Sequence, residues 1–195
     1  MSKKIIIIEG TDNIGKDSFI KTLLERSGIF TYIHCGKPSS SDPKKAGIEQ
    51  DKYFKNLANS LVINSYKDSE FVIYNRAWYG EYVYGTIYRN RTKDEVKNMI
   101  DSIEKSLLKL NKDIYYIQFY CDSSKLLHRN DDQKSLSNGD EDSIMIENKL
   151  FKEIFEYSKL SNKYLLKVNN GDEFVDMKTL HDKLYDFIYD LPWQS

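Results

Sequence analysis

Ile5 to Glu9, four isoleucines closed by a glutamate, runs straight into Gly10-Thr11-Asp12-Asn13-Ile14-Gly15-Lys16-Asp17-Ser18, and Phe19, Ile20, Leu23 and Leu24 follow at helical spacing. A short β-branched run is the signature of a buried strand, and the later apolar residues form one face of a helix. Glycine at both ends of the connecting loop lets the backbone curl until several N–H groups converge on one anion. The helix behind it adds the positive end of its dipole. Lys16 is then placed to meet the β- and γ-phosphates of a nucleoside triphosphate as a point charge. Strand, glycine loop, lysine and helix in this order define a P-loop. The candidate ATP-binding residues are Gly10, Asn13, Ile14, Gly15, Lys16, Asp17 and Ser18.

Position 17 departs from the usual form of such a loop. A Ser or Thr normally follows the lysine and gives its hydroxyl to Mg²⁺, whereas this chain has Asp17 and puts Ser18 one place later. Asp17 either ligates the ion, directly or through water, or is an acid favoured by the helix dipole. Ser18 is the second metal candidate.

Beyond the loop, short β-branched or aromatic runs alternate with longer stretches of helical period, the pattern of a parallel sheet covered by helices on both faces. Strands are expected at Ile5 to Glu9, Phe30 to Cys35, Phe71 to Asn75, Ile114 to Cys121 and Tyr164 to Val168. The expected fold class is α/β: a P-loop NTPase fold with a five-stranded parallel sheet, one domain over 1–195, and a small lid near 129–142. Val96, Met99, Ile100, Ile103 and Leu107 predict a helix opened by a capping box of Thr92 and Glu95. Ile146, Leu150, Ile154 and Phe155 predict a second core-facing stripe, and Met177, Leu180, Leu184 and Phe187 a third. Gly36 to Gly47 and Asn130 to Asp142 fit neither period and read as mobile loops at the functional edge.

The charge balance, 29 Lys and Arg against 30 Asp and Glu, gives no global attraction to a polyanion and argues against sequence-independent nucleic-acid binding. Cys35 and Cys121 lie beside apolar runs and read as reduced thiols, neither a disulfide framework nor a metal site. The N-terminal apolar run is too short for a signal peptide or a membrane span. A cytoplasmic protein without a membrane partner is the expectation.

Two stretches carry a resemblance. Glu9-Gly10-Thr11-Asp12 leading into Gly15-Lys16 is similar to a Glu-Gly-x-Asp-x-x-Gly-Lys loop. Val72-Ile73-Tyr74-Asn75-Arg76, then Gly80-Glu81-Tyr82-Val83-Tyr84-Gly85 and Tyr88-Arg89, looks like an Asp-Arg pair followed by Gly-Glu-x-Val-Tyr-Gly. On these the chain resembles the thymidylate kinase branch of the nucleoside monophosphate kinases, and more narrowly the deoxynucleoside monophosphate kinases of bacteriophages. The resemblance implies transfer of the γ-phosphoryl group of ATP to a deoxynucleoside monophosphate, Mg²⁺ as cofactor, and a homodimer. It implies that Asp12 bonds the acceptor's 3′-hydroxyl, that Arg76 grips its 5′-phosphate, and that Tyr84 packs where a 2′-hydroxyl would intrude.

The residues themselves agree in part. Arg76 follows an apolar strand and so projects from the carboxyl edge of the sheet, where open α/β folds bind ligands, and its planar fork suits a phosphate. Asp12, in a loop built for phosphate, repels the ligand unless it faces a hydroxyl. Trp78, Tyr79, Tyr82, Tyr84 and Tyr88 either stack on a base or pack in the core, and for all but Tyr84 packing is the expectation. Lys37 is a further candidate for the acceptor phosphate. Glu81 is a candidate for the metal or the acceptor through water, and otherwise a helix-surface acid; Arg89 is a candidate for the acceptor.

Several positions depart from the family. Asn75 stands where Asp is usual and supplies no negative charge to the metal, which makes Asp17 a candidate substitute for it. Asn13 replaces a loop arginine, so cations that neutralise the moving phosphoryl group are expected from a lid, with Arg129, Lys134, Arg89 and Arg91 as candidates. Gly85 replaces a Gln, and thymine selectivity is therefore not implied. After the second strand the chain reads His34-Cys35-Gly36-Lys37, with no carboxylate to deprotonate a 5′-hydroxyl, and His34 reads as a strand-end packing residue. A monophosphate, already ionised, needs positioning more than a base. The alternatives are a deoxynucleoside kinase, with Glu9 or Glu81 as base, and a nucleotide-binding regulator without turnover.

Overall fold

The computed structural model describes residues 4–26, 30–62, 71–109, 113–127 and 140–189. Strands β1 (Lys4–Glu9), β2 (Phe30–His34), β3 (Phe71–Asn75), β4 (Asp113–Tyr120) and β5 (Asn162–Lys167) form one sheet in the order β2-β3-β1-β4-β5, every neighbouring pair parallel. All five lie where the sequence predicts them. Along β1 the side chains alternate: Ile5 and Ile7 join Val72, Tyr74 and Tyr116 on one face, Ile6 and Ile8 join Ile73, Ile117 and Phe119 on the other. A central strand with helices on both faces has no solvated side, and that is why the isoleucine run is unbroken.

The first face is covered by α2 (Pro43–Val62), α3 (Gly80–Tyr88), α4 (Lys93–Leu108) and α6 (Glu141–Tyr157). The second is covered by α1 (Lys16–Arg26), the single turn α5 (Ser124–Leu127) and α7 (Met177–Tyr189). A small antiparallel pair, β6 (Asn169–Asn170) with β7 (Glu173–Phe174), precedes α7. α4 opens on the predicted capping box, with Glu95 N–H donating to Thr92 Oγ1 at 3.2 Å and Thr92 N–H to Glu95 Oε2 at 2.8 Å. Glu104, on the buried side of α4, accepts from Tyr79 Oη (2.6 Å), Ser158 Oγ (2.6 Å) and Lys159 N–H (2.9 Å). One carboxylate thereby ties α4 to the residues before α3 and after α6.

Three expectations need correcting. Gly36 to Gly47 is not loop throughout, because α2 begins at Pro43. Proline is well suited to a first helical position, and Asp42 ahead of it accepts Lys45 N–H at 2.8 Å. Glu141 and Asp142, placed in the lid segment, belong to α6, whose Asp140 cap accepts Ser143 N–H at 2.8 Å; residues 128–139 lie outside the described residues. Ile146 is exposed, and the buried stripe of α6 runs through Ile144, Leu150, Phe151 and Ile154 instead. Among the described residues no helix is long and apolar enough to cross a membrane.

Candidate functional site

The loop between β1 and α1 takes the strained turns its sequence announces. Gly10 sits at φ 148° with Phe119 so close that a Cβ would lie 3.0 Å from its Cβ and backbone oxygen, so no side chain fits. Asn13 and Gly15 also have positive φ. Lys16 is buried at the first position of α1, and its Nζ donates to the backbone oxygens of Gly10 (2.8 Å) and Thr11 (2.5 Å). The ammonium thus lies folded across the loop that it is expected to serve. Burial brings it down to about 8, helped by repulsion from Arg76 and opposed by Asp12, Glu9 and Asp17.

The end of β3 faces this loop. Asn75, fully buried, donates through Nδ2 to Asp17 Oδ1 and to Tyr32 Oη (3.0 Å), with His34 Nδ1 at 3.3 Å, and its Oδ1 has no partner among the described residues. Asp17 therefore reaches the strand end where the family's Asp is absent. Ser18 is exposed on α1. His34 is exposed as well, a correction to its reading as a packing residue. Among the described residues, no three His, Cys, Asp or Glu side chains cluster as a metal cage.

Arg76 follows at φ 63°, a conformation L-residues rarely adopt. The corner is pinned from β1: Arg76 N–H donates to Ile8 O (3.1 Å), and Ala77 N–H and Gly80 N–H both donate to Glu9 Oε1 (2.7 and 3.2 Å). Glu9 Oε2 is buried without a partner among the described residues. Burial pushes this carboxyl up to about 7, against those two N–H groups and the nearby Lys16 and Arg76. Arg76 Nη2 donates to Asp12 Oδ1 at 2.5 Å, so the phosphate loop and the β3–α3 corner are bridged by an ion pair.

A solvent-open cavity lies beside Arg76. The segment after β2 lines it with Cys35, Gly36 and Lys37, α2 with Gln50 and Phe54, and α3 with Gly80, Glu81, Tyr84 and the capping Arg89. Tyr84 is buried and its hydroxyl has no partner among the described residues. Glu81 is no surface acid: at 2% exposure it accepts from Arg89 Nη1 at 2.5 Å and from Arg91 Nη1 at 3.2 Å. Its carboxyl is raised by burial, with both arginines pulling the other way. Arg91 also donates to Asp51 at 2.6 Å. Arg89 and Arg91, considered above as cations for the moving phosphoryl group, are both held in this network. Trp78, Tyr79 and Tyr82 are core, as expected, and Tyr88 is half-buried. Arg129 and Lys134 lie outside the described residues.

No protein-family model matches the sequence, and no curated protein matches it by sequence. Solved structures do match. The thymidylate kinase of Candida albicans is similar over 97% of this chain and 92% of that one, with a TM-score of 0.71 and 15% identity. That of Ehrlichia chaffeensis is similar over 95% and 98%, at TM-score 0.57 and 11% identity. The fold is that of a thymidylate kinase. On this fold Lys16, Asp17, Asp12 and Arg76 come together at the carboxyl edge of the sheet, while Tyr84, Glu81, Arg89 and Lys37 line one cavity beside them. Sequence reading missed the clamp made by Glu9, and it missed Gln50, Phe54 and Asp51. Glu9 had a signal, a carboxylate closing an otherwise apolar strand; the α2 residues had only their helical spacing.

Proposed function

We propose that the protein is an ATP-dependent deoxynucleoside monophosphate kinase, giving ADP and a deoxynucleoside diphosphate. The observation that carries the reading is the 2.5 Å bridge between Asp12 of the phosphate loop and Arg76 beside the cavity, which sets a donor grip and an acceptor grip next to each other. The loop amides and Lys16 would hold the donor phosphates once the lysine leaves its carbonyl partners. Arg76 and Lys37 would hold the acceptor phosphate, Asp12 its 3′-hydroxyl, and Tyr84 the sugar face. Alignment and charge screening then suffice, since the attacking oxygen is already ionised. Mg²⁺ on a nucleotide keeps phosphate and water as most of its shell and needs one or two protein ligands. Asp17, exposed at the start of α1, suits that role, with Ser18 beside it and Asn75 orienting the carboxylate. When bound, the ion would neutralise charge on the phosphates. Arg129 remains the proposed lid cation, acting on ATP. The likeness of the two motifs supports kinship with the bacteriophage enzymes.

A deoxynucleoside kinase is less well supported. Its base would be Glu9 or Glu81, but Glu9 is 1% exposed behind Ala77 and Gly80, and Glu81 is held by two arginines. The test is ADP release from ATP and Mg²⁺ with each of the four deoxynucleoside monophosphates, and with the parent nucleosides as controls. Turnover on monophosphates alone is expected; turnover on nucleosides alone, or none beside demonstrable ATP binding, overturns the reading. Asp17→Ala should lower kcat at least ~100-fold, and a near-normal rate at saturating Mg²⁺ would remove Asp17 from the metal.

A further inference from the structure

The cavity wall carries two chemically different groups. Arg76 and Lys37 supply positive charge. Glu81 and Arg89, also in the wall, belong to a chain of ion pairs that runs on to Arg91 and Asp51 at 2.5, 3.2 and 2.6 Å, two acids against two bases, neutral as a set. A neutral but strongly polar wall does not compete for the phosphate. It suits the hydrogen-bonding edge of an uncharged ring, and Phe54 and Gln50 of α2 line the same cavity.

The position of Glu81 depends on the absence of two side chains. A Cβ on Gly85 would lie 2.8 Å from Glu81 Oε1 and 3.3 Å from Arg91 Cδ, and one on Gly47 would lie 3.3 Å from the same Cδ. These glycines let the Arg91 stem pass between α2 and α3 and let the Glu81 carboxylate stay in the cavity wall. An ionised carboxylate only accepts, and each of its oxygens has acceptor capacity beyond the single arginine bond it makes here. Arg89 only donates.

We infer that Glu81 and Arg89 read the base of the acceptor, and that they select a base with an exocyclic amino group beside a ring acceptor. The amino group donates to Glu81 and the neighbouring ring atom accepts from Arg89. Cytosine and adenine present that pair on one edge; guanine carries an amino group too, with its ring acceptor on the sugar side and an N–H donor on the other. Thymine carries no amino group: its one N–H is flanked by two carbonyls, whose lone pairs would face the carboxylate. This assignment rests on the monophosphate reading, and it separates the chain from a thymidine-selective enzyme on the same fold.

The test is equilibrium binding of the four deoxynucleoside monophosphates to the wild-type protein by titration calorimetry, which needs no turnover. dTMP should bind weakest, at least ~10-fold below the best amino-bearing nucleotide, the scale of a charged hydrogen bond left unmade. Gly85→Ala, which favours the helix while displacing the Glu81 carboxylate, should keep the melting temperature and narrow that gap to threefold or less. Glu81→Gln, which adds a donor, should move the preference towards dTMP. The inference is overturned if dTMP binds as well as any other, if none of the four binds, or if Gly85→Ala leaves the wild-type order intact. Failure of the kinase reading looks different: an ordered set of affinities with no ADP release on any of the four.

Discussion

At the scale of single residues, Glu9 is the side chain whose chemistry reaches furthest. Its Oε1 holds the turn that places Arg76 at φ 63°, and its Oε2 has no partner among the described residues. Folding raises this carboxyl from 4.5 to about 7, so the folded chain binds the proton more tightly than the unfolded one. The contribution to stability is complete below pH 4.5, declines as pH rises through the window up to 7, and is lost above it. Glu9→Gln keeps a neutral acceptor for Ala77 and Gly80 and cannot ionise. Between pH 5 and pH 8 the stability difference should therefore move in the variant's favour by about 3 kcal/mol. Comparing variant with wild type largely cancels the titration of Lys16. Urea denaturation at the two pH values is the check, and a difference that does not change with pH would separate Glu9 from any proton linkage.

At the scale of elements, two polar devices set where α4 starts and what it is tied to, and they should be ranked by burial. Thr92→Ala removes an exposed cap and should cost about 1 kcal/mol. Glu104→Ala leaves Tyr79 Oη, Ser158 Oγ and Lys159 N–H without their acceptor in a buried junction and should cost about 3 kcal/mol. Urea midpoints measure both; equal losses would mean that water replaces Glu104 at that junction. The difference between the two residues also marks what sequence can say about an element. The capping box is local, its two residues three apart, and was legible. The partners of Glu104 lie 25, 54 and 55 residues away and come together only through packing. Local signals fail too where one residue has two meanings. Pro43 reads as a breaker and starts α2, and Ile146 fits a three-four spacing while the buried phase of α6 runs through Ile144, Phe151 and Ile154.

For the whole molecule, the parallel sheet was accessible because unbroken apolar runs at helix-length intervals leave few other ways to bury them, while the order of its strands was not read from the sequence. The phosphate loop and Arg76 were accessible because each is continuous in sequence. The ion-pair chain behind Glu81 was not: Arg91 meets Asp51 across 40 residues, and neither has a pattern of its own. The proposed donor and acceptor grips converge on the carboxyl edge of one sheet, yet they use different side chains, and that separation is measurable. A ligand at one hundred times its Kd stabilises the folded state by about 2.7 kcal/mol. ATP and the preferred monophosphate should each raise Tm in the wild type. Arg76→Gly relieves the positive φ, since glycine adopts it freely, and so leaves a folded protein without the acceptor grip. It should keep the ATP shift and lose the monophosphate shift, whereas Lys16→Ala should do the reverse. Loss of both shifts in either variant would show that the Asp12–Arg76 bridge makes donor and acceptor sites one cooperative unit.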